Sequence, residues 1–141
     1  MTGLLDCIPL SHEELDQEVE RYHLGMVPEY RKLDDWRRCQ VTPQSIRIVH
    51  GDFRRGPLRK GRLFDDVMRE VRDRIDHDNF PLAEDIRMAW PDKQPILVLH
   101  TIHNGELYVF DGEKRVFNAC YHGEGAMEAF VVDVDEHRDV L

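Results

Sequence analysis

Asn104-Gly105 stands between two β-rich runs, Gln94–Ile102 and Glu106–Phe110. Asn-Gly readily adopts the positive φ angles of a tight turn, and apolar, β-branched flanks suit a pleated pair. The pattern predicts a hairpin whose second strand runs straight into Asp111-Gly112-Glu113-Lys114-Arg115. Val116–His122 then reads as a helix stopped by Gly123 and Gly125, and Met127–Val134 as a closing strand. That order gives an α+β or mixed layout.

Upstream, Phe64, Val67, Met68, Val71 and Ile75 form the apolar stripe of an amphipathic helix. A weaker helix is expected over Leu82–Trp90, and Ser45–His50 alternates like a short strand. Near the N-terminus, Ser11 and Glu14 have the spacing of a capping box, with Leu15, Val19 and Tyr22 on one helical face and Gly25 as a stop. A second helix is expected from Pro28, with Tyr30, Leu33 and Trp36 at spacing three. The sequence shows no internal repeat. At 141 residues it is read as one α+β domain over 41–141, preceded by an N-terminal helical extension over 1–40.

Charge narrows the function classes. Twenty-eight acidic and 19 basic residues give a net charge of -9. A phosphate backbone repels such a surface, so DNA or RNA as a general partner is disfavoured. Arg54–Arg62 nevertheless holds five basic residues and no acid, which suits a small phosphate-bearing ligand or a solvated loop. No apolar run approaches the ~20 residues of a membrane span. MTGLLDCIPL lacks a basic n-region, so a secretory signal is not expected. Cys7, Cys39 and Cys120 are odd in number and far apart, without C-x-x-C. Neither a disulfide framework nor a zinc site is expected, and a reducing, cytoplasmic compartment follows. The eight histidines show no tight ligand spacing, and no metal site is read from protein ligands alone.

The chemistry concentrates in Asp111–Arg115. A helix that starts straight after a strand presents unpaired N–H groups and the positive end of its dipole, a ready anion site. Gly112 lets a ligand approach the backbone, Lys114 and Arg115 add charge, and Arg115 can grip a phosphate bidentately. Asp111 is a candidate N-cap or a carboxylate for hydrated Mg²⁺. The bland alternative is a surface turn. Tyr108 and Phe110 are expected in the core, and Trp36 and Trp90 as packing anchors.

In context, LYVFDGEKRVFNACYHGEGAMEAFVVDV resembles the ParB/sulfiredoxin-like superfamily, where a G-E-R-R-x-x-A-like segment contacts nucleotide phosphates. More weakly, VTPQSIRIVHGDF looks like that family's first strand and FDDVMREVRDRI like its first core helix. The likeness spans Val41–Asp135 and omits the first 40 residues. It implies a mixed sheet with flanking helices and a bound ATP, ADP or CTP with Mg²⁺. Gly112 and Arg115 match the G-x-x-R element, Glu113 the family's glutamate, and Lys114 its usual basic residue. Asn118 stands where many members have Ala, beside Ala119.

Three branches can be compared. Sulfiredoxins place a reactive cysteine where this chain has Glu113. Chromosome-partition ParB proteins continue into a helix-turn-helix, whereas this chain ends at Leu141. Small nucleotide-dependent kinases of free amino acids share a D-G-x-x-R-like turn and place a carboxylate after the first strand as general base. His50-Gly51-Asp52 occupies that place, with Asp52 as a displaced base or His50 in the role. The expected function is therefore nucleotide-dependent phosphotransfer or hydrolysis on a small hydroxyl-bearing substrate. The alternative is a non-catalytic nucleotide-sensing regulator, with a protein partner or a second copy bound through the N-terminal helices. A DNA-acting protein ranks third.

Overall fold

The run Ile96–Leu99 is buried on both faces, which sets it at the centre of a sheet. The computed structural model describes residues 4–22, 33–48, 61–90 and 93–134. Its strands are β1 (Leu4–Pro9), β2 (Arg37–Val41), β3 (Ile46–Arg47), β4 (Ile96–Thr101), β5 (Leu107–Asp111) and β6 (Met127–Val134). They form one six-stranded mixed sheet in the order β1-β2-β6-β4-β5-β3. β4 runs parallel to β6 and antiparallel to β5, and β3 runs parallel to β5. The helices are α1 (His12–Tyr22), α2 (Phe64–Asp76), α3 (Ala83–Arg87) and α4 (Glu113–Tyr121).

Side-chain alternation along the central strands separates two cores. Ile96, Val98, Met127, Ala129 and Val131 pack with residues of α2, α3 and α4 on one face. Leu97, Leu99, Phe130 and Val132 pack with Leu15 of α1 and Trp36 on the other. The α2 stripe comes out as read, with Phe64, Met68, Val71 and Ile75 buried. The capping box also forms. The Ser11 backbone N–H donates to Glu14 Oε1 at 3.2 Å, and the Glu14 N–H donates to Ser11 Oγ at 3.1 Å.

Two expectations need correction. The N-terminal segment is not a purely helical extension, because β1 and β2 flank α1 and join the sheet. The second helix, expected from Pro28, falls over 28–32 outside the described residues, and its described end, Leu33–Trp36, is not helical. Arg38 and Gln40 alternate with Cys39 and Val41, a strand pattern in which long polar side chains line one face. Arg38 bonds Glu18 at 3.1 Å and Glu128 at 2.7 Å, and its guanidinium lies 5.3 Å from the Phe130 ring centroid.

The cysteines are the second correction. Cys7 and Cys39 are joined in a disulfide, with Cα atoms 4.2 Å apart. Distance along the chain misled, since antiparallel β1 and β2 bring the two together across a bulge between Leu5 and Ile8. Cysteine usage therefore no longer argues for a reducing compartment. Among the described residues, no helix is long and apolar enough to cross a membrane.

Candidate functional site

β5 ends at Asp111 and α4 begins at Glu113, so Gly112 alone makes the turn. Its φ is +109°, which L side chains rarely adopt. A Cβ there would lie 2.5 Å from Ile96 Cγ2. The glycine is thus demanded by the backbone angle and by packing against β4. The N-cap position falls on Gly112, which has no side chain to cap the helix, and not on Asp111 as the sequence suggested. Glu113 is exposed. Lys114 is half-exposed, with Nζ 3.5 Å from Asp85 Oδ2 and 5.7 Å from the Trp90 ring centroid. The Trp90 indole N–H donates to the Asp85 carbonyl at 2.8 Å, which fixes the ring beside Lys114.

Arg115 turns out to be internal. It is only 2% exposed, and its two Nη groups donate to the Glu124 carboxylate at 2.8 and 3.0 Å. Nη1 also donates to Asn118 Oδ1 at 3.2 Å, while among the described residues Nε is buried without a partner. These hydrogen bonds hold the Glu124 carboxyl below the usual carboxylate range, against the raising effect of its burial. A phosphate would reach the Arg115 fork only by displacing Glu124. Glu124 carried no local signal, because it sits between two glycines that read as a helix stop.

Asn118 has a structural role of its own. Its amide donates to the carbonyls of Ile86 at 2.8 Å and Met88 at 2.9 Å, at the end of α3. The last carbonyls of a helix need such outside donors. Asn118→Ala is expected to cost about 1–3 kcal/mol by leaving buried carbonyls unpaired, read as a lower urea midpoint at unchanged slope.

The topology adds a second element to this end of the sheet. Arg47 of β3 pairs with Tyr108 of β5, and parallel β3 and β5 run toward the turn together. The Ile48 N–H donates to the Arg62 carbonyl at 2.9 Å, and Arg47 Nη1 donates to the Gly61 carbonyl at 2.7 Å. The two feet of segment 49–60 are therefore joined on the outer side of β3, one strand away from β5. At ~3.3 Å per residue, Ile48 stands about 7 Å short of the level of Asp111. His50, Gly51 and Asp52, and Arg54, Arg55, Arg59 and Lys60 of the basic stretch, lie outside the described residues. Arg62 is described, and it pairs with Glu70 at 2.6 and 2.9 Å.

Tyr108 is buried as expected, and its hydroxyl donates to Glu106 Oε2 at 2.7 Å. Trp36 is likewise a packing anchor, 1% exposed. A polar cluster the sequence did not suggest lies toward the far end of β4. Asp133 Oδ1 accepts from Arg37 Nη2 at 2.6 Å and meets His100 Nδ1 at 2.8 Å. Among the described residues, no three His, Cys, Asp or Glu side chains converge as a metal cage. Compared with known protein families, curated proteins and solved structures, the chain matches none.

Proposed function

We propose that this chain is a nucleotide-binding domain that takes the phosphates at the β5–α4 turn. The observation that carries the reading is the joining of Ile48 and Arg62 on the outer side of β3, which brings both ends of the basic stretch to the strand next to β5, the strand that feeds this turn. The start of α4, where the N-cap is a glycine, would supply backbone N–H groups, and Lys114 the adjacent charge. In this reading Arg115 acts from inside, holding α4 against Glu124. Mg²⁺ would neutralise phosphate charge when bound. His50 or Asp52 as general base, and with it phosphotransfer to a small hydroxyl compound, is the catalytic extension of the same reading. Nucleotide sensing without turnover needs only the turn.

The test is thermal unfolding with ATP, ADP, CTP and GTP, each with and without Mg²⁺. A nucleotide at 100 times its Kd should add about 2.7 kcal/mol of stability. Lys114→Ala, whose side chain is half-exposed, should keep the unliganded Tm and weaken binding roughly tenfold. Absence of a shift with every nucleotide would overturn the reading. Product analysis with the binding nucleotide then separates an enzyme from a regulator.

A further inference from the structure

The N-terminal edge strand carries an inference independent of nucleotide binding. Among the described residues, β1 pairs with β2 alone and forms one edge of the sheet. Its hold is thin. The register shifts between Leu5 and Ile8, and Asp6 takes φ +53°. The flanking apolar residues Leu5 and Ile8 are 50% and 55% exposed, and only Leu4 and Cys7 lean on the core. The Cys7–Cys39 disulfide sits in the middle of this weak pairing. Beyond β1 the chain is anchored again, since Leu10 is buried and its N–H donates to the Trp36 carbonyl at 2.9 Å. β2 is anchored independently, pairing with β6 from Arg37↔Val131 to Val41↔Met127.

We propose that β1 is a redox-releasable edge strand, latched by Cys7–Cys39 and freed by a dithiol reductant. A thiolate of the dithiol attacks Sγ of Cys7, the less buried cysteine, and the S–S bond breaks. Cys39 leaves as a thiolate and takes up a proton. The second thiol of the reductant then attacks the mixed disulfide and releases Cys7 as a thiol. Two electrons pass to the cystine, and the reductant ends as its own disulfide. Cys120 stays out of the exchange, because burial pushes its thiol up to about 12 and leaves little reactive thiolate. Release of β1 opens the outer hydrogen-bonding edge of β2, a row of backbone groups able to pair with another strand.

The experiment is hydrogen–deuterium exchange of the full chain, oxidised and after dithiothreitol, with thiol counting on the same samples. The expected result is one disulfide in the oxidised protein. On reduction, exchange should speed on the order of 100-fold in 4–9 and at the outer edge of β2, with β4 and β6 still protected. Cys7→Ser should show the reduced pattern without reductant. Equal protection of β1 in both states would overturn the proposal. So would free thiols at Cys7 and Cys39 after oxidant, or loss of protection across the whole sheet on reduction.

Discussion

Arg115→Ala is expected to lose about 3 kcal/mol of stability, roughly 10 °C in Tm, before any ligand is added. The reason is local. The Arg115 guanidinium is 2% exposed and bidentate on Glu124, so truncation leaves a mostly buried carboxylate without its main partner. The loss sits at the low end for a buried pair because Lys93 Nζ stays 3.6 Å from Glu124. Urea unfolding of the two proteins measures it, and a difference below 1 kcal/mol would reject the internal role. Acid supplies a second readout. Arg115 depresses the Glu124 carboxyl in the folded state, so the stability it adds is fully present above the ordinary value of 4.5 and is lost as pH falls through the lower native value. The gap between wild type and Arg115→Ala should therefore narrow as pH falls through the carboxylate range. A variant at Arg115 that stops binding nucleotide has thus lost the seating of α4 as well as any contact. Lys114→Ala is the cleaner probe of the surface.

Gly112→Ala is the other large effect, at about 3 kcal/mol. A φ of +109° strains any side-chain-bearing residue, and the new methyl would enter the Ile96 side chain, 2.5 Å from Cγ2. Ile96 is fully buried at the start of β4 and has nowhere to go. Gly125 is the internal control. An added Cβ there meets nothing within 4 Å, so Gly125→Ala should change stability by a few tenths of a kcal/mol at most. If the two variants unfold at the same urea concentration, packing is not what holds Gly112 in place, and close approach of a ligand becomes the better account of it.

What the sequence made legible follows from range. α1, α2, α4 and β4–β6 are written in local patterns: a capping box, a 3–4 stripe, Asn-Gly between apolar runs. β1 and β2 are written in partners far away. Arg37 and Arg38 look like surface charge until Asp133 and Glu128 arrive across the sheet. The turn was legible for the same local reason, since a strand, a glycine and a helix leave little choice of path. The burial of Arg115 was not, because its partner lies beyond a glycine and has no periodic tie to it. The pairing of Cys7 with Cys39 likewise needed the strand register.

The place of β6 between β2 and β4 bears on how the chain is made. β2 emerges early, yet its inner neighbour is translated about 90 residues later, the separation of Arg38 from Glu128. At about 5–20 residues per second, that interval is roughly 5 to 20 s. During it Cys39 and Val41, later sealed in the core, have β1 as their one early sheet neighbour. A nascent chain stalled before Met127 should engage folding helpers or aggregate, and lesions in β6 should register first as poor yield from the ribosome.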